Sequence, residues 1–259
     1  MGTRRLPGAR NVRATLDDRS DRRGAGDGPD SVRDGADNDP DGSATGRASA
    51  DGDRSGSHSS GDGSENWSVE RVVVACPPHP QMGGDRHDGR LRAVSDALGD
   101  FGIDCLRFDY GSWDDGIGEQ TDVRTALAWA QYRYDRVGLF GYSFGGSLAV
   151  LTCADIEAES DRASRPRADG DSGMRPDCLS VLAPGSGPGP FDVVGALDEI
   201  TCPVQVVYGA RDDVVEWESL VDRADELGYA VERMEADHFF IGQQTKAAER
   251  VASFFADVL

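Results

Sequence analysis

Lysine is nearly absent from this 259-residue chain: Lys246 stands alone beside 26 Arg, against 35 Asp and 12 Glu, for a net charge of −20. A surface so acidic repels phosphates, so nucleic acid is not expected as a partner. No stretch approaches the ~18 consecutive apolar residues of a membrane span, so no membrane partner is expected either. Cysteine is sparse too. The five thiols, Cys76, Cys105, Cys153, Cys178 and Cys202, are odd in number and form no Cys-x-x-Cys pair. That pattern points to reduced, mostly buried thiols in a cytoplasmic protein. Metal ligands do not cluster anywhere along the chain, so neither a metal nor a cofactor is expected.

Absence also divides the chain. Residues 1–66 lack aromatics and, after Met1, hold only Leu6, Val12, Leu16 and Val32 as large aliphatics. Such a segment buries too little apolar surface to offset its ordering entropy, so a disordered low-complexity tail is expected there. Thr3-Arg4-Arg5-Leu6 resembles the start of a twin-arginine export signal. Pro7, Arg10, Arg13, Asp17 and Asp18 occupy the place of its apolar stretch, so export is not expected.

Setting aside the 10 Arg, 12 Asp and one Glu of residues 1–66 leaves 17 basic and 34 acidic groups in residues 67–259. A length of that order suits one domain with a sizeable core. The excess of Asp reads as adaptation to concentrated salt, a halophilic trait. The Debye length shrinks from about 30 Å at 0.01 M to about 3 Å at 1 M, which removes self-repulsion while apolar burial persists. The thermal midpoint should therefore rise between roughly 0.1 M and 2 M KCl and then saturate. A flat or falling midpoint over that range leaves codon usage as the origin of the Asp and Arg.

What remains is patterned. Val72–Ala75, Ile103–Tyr110, Arg136–Tyr142, Cys178–Leu182, Val204–Tyr208 and Ala230–Met234 read as strands. Between and after them, helical periodicity runs through Leu91–Phe101, Glu119–Tyr134, Phe144–Ala154, Val215–Leu227 and Thr245–Leu259. This alternation predicts an α/β domain, a parallel sheet with helices on both faces. Asp155–Asp177 is polar and without period, and is expected to be a disordered surface insertion.

Gly141-Tyr142-Ser143-Phe144-Gly145 falls between a predicted strand and an apolar helix, as a nucleophile elbow requires. The glycines make room for a strained turn that thrusts the Ser143 hydroxyl outward, and the helix aims its positive end at it. A serine nucleophile needs a base. Among His58, His79, His87 and His238, only His238 follows the serine, as the α/β-hydrolase order demands. The acid should sit just past a strand, where Asp212 and Asp213 both lie; spacing alone does not choose between them. Oxyanion donors are expected from Phe144 and from the loop Cys76–Gly84. Its prolines cannot donate, so Gln81 or Met82 is the second candidate.

His79-Pro80-Gln81-Met82-Gly83-Gly84, Arg107-Phe108, Gly116-Ile117-Gly118-Glu119, the elbow and Asp237-His238-Phe239-Phe240 together resemble one family. It comprises small serine α/β-hydrolases of bacteria and archaea related to dienelactone hydrolases, and the likeness runs from about Arg71 to Leu259. The resemblance implies Asp212, rather than Asp213, as the acid and favours the His-Pro loop as the oxyanion segment. Two departures flank the expected active face: Pro77 replaces a His, and Gly111-Ser112-Trp113 replaces an Arg-Gly-Val stretch.

The fold implied is the α/β-hydrolase fold. An antiparallel pair normally precedes its first parallel strand, and residues 1–66 are too polar to supply one, so a minimal sheet of about six strands is expected. Ile103–Tyr110 would then lie at an open edge. Only Gly185–Thr201 separates two late strands, too little for a helical cap, so the site should be open. The activity expected is hydrolysis of a small-molecule ester or acyl substrate by Ser143, His238 and Asp212, with Phe144 and Gln81 as oxyanion donors. The rivals are a peptidase or acyltransferase using the same residues, and a non-catalytic binding protein on the same scaffold.

Overall fold

The computed structural model describes residues 3–8, 10–18, 70–162, 175–187 and 189–259. Its strands are β1 (Thr3–Arg5), β2 (Arg13–Asp17), β3 (Arg71–Cys76), β4 (Asp104–Asp109), β5 (Arg136–Tyr142), β6 (Cys178–Leu182), β7 (Val204–Gly209) and β8 (Ala230–Met234). The helices are α1 (Gly89–Asp100), α2 (Ile117–Gln131), α3 (Phe144–Arg162), α4 (Val193–Ala196), α5 (Glu218–Glu226) and α6 (Gln244–Val258), with short 3₁₀ turns at Pro80–Met82 and Leu197–Glu199.

The eight strands form one sheet in the order β1-β2-β4-β3-β5-β6-β7-β8. β3 to β8 run parallel, and β1 and β2 pair antiparallel at one edge. Side chains alternate between the faces with period two, and both faces are buried. From β3, Val72 and Val74 join Leu139, Val181 and Val206 in the core under α2, α3 and α5. Val73 and Ala75 join Phe140, Leu182 and Val207 in the core under α1 and α6.

Two expectations are corrected. The sheet has eight strands, not about six, because Thr3–Arg5 and Arg13–Asp17 are ordered, the second pairing with β4 and the first with the second. Register pairs Arg13 with Asp109 and Thr15 with Arg107, so Ile103–Tyr110 is not an open edge. Apolar area is not all that holds this pair. Only Leu6, Val12, Ala14 and Leu16 enter the core, and the rest is backbone bonding and ion pairs such as Arg107 with Asp17 at 2.6 Å. The remainder of the expected tail, residues 19–66, lies outside the described residues.

Helix α3 also runs beyond its sequence signal, to Arg162, so residues 155–162 are helical rather than part of a disordered insertion. Ile156 is buried, and Glu157 accepts a 2.7 Å hydrogen bond from Thr201 Oγ1. These contacts stabilise a turn that composition alone marks as polar. Residues 163–174 of the expected insertion lie outside the described residues. Among the described residues between β6 and β7 there is α4 and one 3₁₀ turn, and Ser143 keeps partial exposure.

Candidate active site

Ser143 stands where β5 becomes α3, at φ 55°, in the left-handed region that costs a side-chain-bearing residue about 1–3 kcal/mol. Its N–H donates to Leu182 O at 2.9 Å, and its carbonyl accepts from Gly146 N at 2.8 Å, so bonds on both sides fix the turn. Gly145 is needed for a close approach. A Cβ there would collide with the carbonyl oxygens of Cys76 and Pro77, so glycine lets the loop after β3 lie against the elbow.

His238 follows β8 on a loop pinned from two sides. Phe240 is fully buried at φ 51°, and Ile241 N donates to Asp237 Oδ1 at 3.1 Å. From below, Tyr142 Oη donates to His238 O at 3.1 Å. His238 is 3% exposed, with Nδ1 2.7 Å from Asp212 Oδ2 and Nε2 2.9 Å from Ser143 Oγ. Asp212, just past β7, turns its other oxygen to Val214 N at 2.9 Å and Val215 N at 3.3 Å. Asp213, the neighbour that spacing could not separate from it, is exposed. Ser143, His238 and Asp212 therefore come from three separate loops at the carboxyl ends of the parallel strands, where ligands bind in open α/β sheets.

The expected oxyanion donors fare differently. Phe144 opens α3, where the first N–H groups have no partner inside the helix. Gln81 N donates to His79 Nδ1 at 3.3 Å and Met82 N to His79 O at 3.0 Å, so both are engaged within their own turn. Gln81 does not line the cavities that open at Ser143, whereas His79 and Met82 do. Prolines at 77, 78 and 80 have no N–H. In the stretch 77–82, His79 N is the N–H with no hydrogen bond among the described residues.

His79 is itself held between rings, its centroid 4.6 Å from Trp113 and 4.7 Å from Phe144. Burial lowers its pKa, and Nδ1 accepts from Gln81, so the neutral ring carries its proton on Nε2. Trp113 carries no signal of its own in the sequence. It shows only as an interruption of the family likeness. Arg90, which lies 4.6 Å over the Tyr142 ring, gave no sequence signal.

Glu119, part of the family likeness, and Asp122 do local structural work. Glu119 accepts from Gly116 N at 2.9 Å and Asp114 N at 3.0 Å at the start of α2, and Asp122 accepts from Gly111 N at 2.8 Å. Among the described residues, no group of three or more His, Cys, Asp or Glu could hold a metal. No helix among them is long and apolar enough to cross a membrane.

No family model matches the sequence, and no curated protein does. Solved structures do. One is an α/β serine hydrolase without lid from Xanthomonas campestris, 19% identical, with TM-score 0.64 over 99% of this chain and 93% of that one. Another is an esterase from Pyrococcus furiosus, 17% identical, with TM-score 0.58 over 73% and 83%. A dienelactone hydrolase from Anabaena variabilis is 17% identical, with TM-score 0.55 over 74% and 88%. At these identities the likeness concerns architecture: the chain has the α/β-hydrolase fold.

Proposed function

We propose that the chain is a serine hydrolase of carboxylic esters. The observation that carries this is one unbroken hydrogen-bonded line, Asp212 to His238 at 2.7 Å and His238 to Ser143 at 2.9 Å, ending on a strained, partly exposed serine. In this reading, Ser143 Oγ attacks the acyl carbon while His238 Nε2 takes its proton. Asp212 holds the imidazole with its proton on Nδ1 and stabilises the imidazolium. His238 then protonates the departing alkoxy oxygen, leaving an acyl group on Ser143. Water, activated by the same imidazole, releases the acid. The serine hydrolase, esterase and dienelactone hydrolase among the structural neighbours support the reading.

The test is labelling by a fluorophosphonate in molar KCl. The wild-type protein should be labelled and Ser143→Ala should not; labelling that survives the substitution removes the reading.

The tetrahedral anion would be received by Phe144 N–H and by a second donor from the loop after β3. His79 N–H is the better candidate than Gln81 N–H, because it is free and its residue packs against Phe144. At φ −56° His79 already has a proline's backbone angle. His79→Pro therefore deletes the N–H with little strain, while His79→Ala keeps it and removes only the ring. Turnover of para-nitrophenyl acetate should fall about 10²–10³-fold further in the Pro variant than in the Ala variant. Gln81→Pro should fall far less, and the opposite ranking restores Gln81 as the donor.

A further inference from the structure

Ser143 opens onto two cavities rather than one. The first, about 340 Å³, is walled by Phe144, Ser147, Gly187, Val215 and Glu216. The second, about 290 Å³, is walled by Asp88, Arg90, Tyr142, His238 and Phe239. Ser143, His79, Met82 and Val214 border both. An ester with its carbonyl carbon at Ser143 Oγ must send its two halves in different directions.

Proton bookkeeping decides which half goes where. Acylation forms the Oγ–C bond and breaks the bond between that carbon and the alkoxy oxygen. The proton lost from Oγ to His238 Nε2 is delivered to the alkoxy oxygen, which must lie about 3 Å from that nitrogen. His238 lines the second cavity and not the first, whereas Phe144 lines the first and not the second. The alcohol half therefore occupies the second cavity and the acyl half the first.

The two cavities differ in charge. The first offers Met82, Phe144, Val214 and Val215, with the exposed carboxylate of Glu216 as its charged group. The second holds Arg90, the one Lys or Arg lining either cavity. Arg90 is stacked between Tyr142 and Phe239, 4.6 and 6.0 Å from their centroids. Its side chain is 18% exposed, and it is tied through Nη2 to Asp88. Asp88 has a second duty, because its Oδ1 caps α1 by accepting from Arg90 N at 2.8 Å. Nη1 makes no hydrogen bond among the described residues. A guanidinium fixed by stacking, with donors to spare, suits an anionic acceptor.

We infer that the cleft selects esters whose alcohol half carries an anionic group such as a carboxylate, received by Arg90, and whose acyl half is small and uncharged. This rests on the esterase reading above. The long-range field of the acidic domain opposes such a substrate at low salt. Molar salt screens that field more than it screens a partly buried contact.

Two substrate pairs test the assignment in 1 M KCl. One places charge on the alcohol side, para-acetoxybenzoate against its methyl ester. The other places it on the acyl side, para-nitrophenyl hemisuccinate against para-nitrophenyl pentanoate. In Arg90→Gln the kcat/KM ratio of para-acetoxybenzoate to its methyl ester should fall about tenfold from wild type. Arg90→Lys should restore most of that ratio, and the acyl-side ratio should not move. Glu216→Gln, at an exposed position that does not endanger folding, should raise hemisuccinate turnover relative to pentanoate severalfold and leave the alcohol-side ratio alone. An alcohol-side ratio unchanged in Arg90→Gln, or an acyl-side ratio that moves with Arg90 instead, overturns the assignment. Ester hydrolysis persisting in Ser143→Ala is a different result, and sinks the esterase reading itself.

Discussion

Asp212→Asn should lower kcat about 10⁴-fold, and Ser143→Ala or His238→Ala about 10⁶-fold, with the thermal midpoint reporting an intact fold in each case. The Asn effect follows from the bonds around the carboxylate. Asp212 Oδ1 accepts from Val214 N and Val215 N, so an asparagine must put its carbonyl oxygen there. Its NH₂ group then faces His238 Nδ1, where the carboxylate oxygen stood at 2.7 Å. Nδ1 must become the acceptor, and the imidazole proton moves to Nε2. A protonated Nε2 cannot take the Ser143 proton, and catalysis stops at its first step. Asp213→Asn, at an exposed site, should change kcat less than twofold, within the range of an ordinary surface substitution. The effects should also be non-additive: the double variant Ser143→Ala with Asp212→Asn should be no slower than Ser143→Ala alone. Equal losses from Asp212→Asn and Asp213→Asn would falsify the assignment of the acid.

Ser143 and His238 were legible in the sequence because their positions depend on local constraints that leave marks. An elbow needs glycines on both sides of the nucleophile, and chain order leaves a single histidine after it. The choice between Asp212 and Asp213 left no such mark. One residue along a loop reverses the direction of a side chain, and here the direction is set by two backbone N–H groups downstream. The loop after β3 left no mark for a similar reason, since its turn consumes Gln81 N and Met82 N internally. The cavities were not legible at all, because their walls join residues from α1, the elbow and the loop after β7. Composition undercounts the N-terminal strands, because it measures apolar area alone. Leu6, Val12, Ala14 and Leu16 are few but buried, and the pairing of β2 with β4 and buried charge add to them.

That buried charge makes Arg10 the residue on which the N-terminal pair depends. Arg10 Nε donates to Asp122 Oδ1 at 2.9 Å, and Nη2 lies 3.6 Å from Glu119 Oε1. Both carboxylates are 0% exposed, and Arg10 itself is 21% exposed. Gly118 fits this arrangement, since a Cβ there would occupy the place of the guanidinium. Arg10→Ala leaves two buried carboxylates without their cation, and breaking a buried pair in this way costs about 3 kcal/mol. For a domain of this size the thermal midpoint should drop by roughly 10 °C. Burial already raises the Asp122 pKa, and the Gly111 N–H and Arg10 hold it back while Glu119 pushes it further up. Without Arg10 it rises again. An acid whose folded pKa exceeds its unfolded value loses stability as pH climbs between the two. The deficit of Arg10→Ala should therefore be larger at neutral pH and shrink as the pH falls and Asp122 takes up a proton. Adding Asp122→Asn should recover part of the stability at pH 7 and weaken that pH dependence, because one of the two uncompensated charges is gone while Glu119 remains. A deficit that is the same at pH 5 and pH 7, measured by thermal unfolding at fixed KCl, would show that Arg10 contributes packing rather than charge.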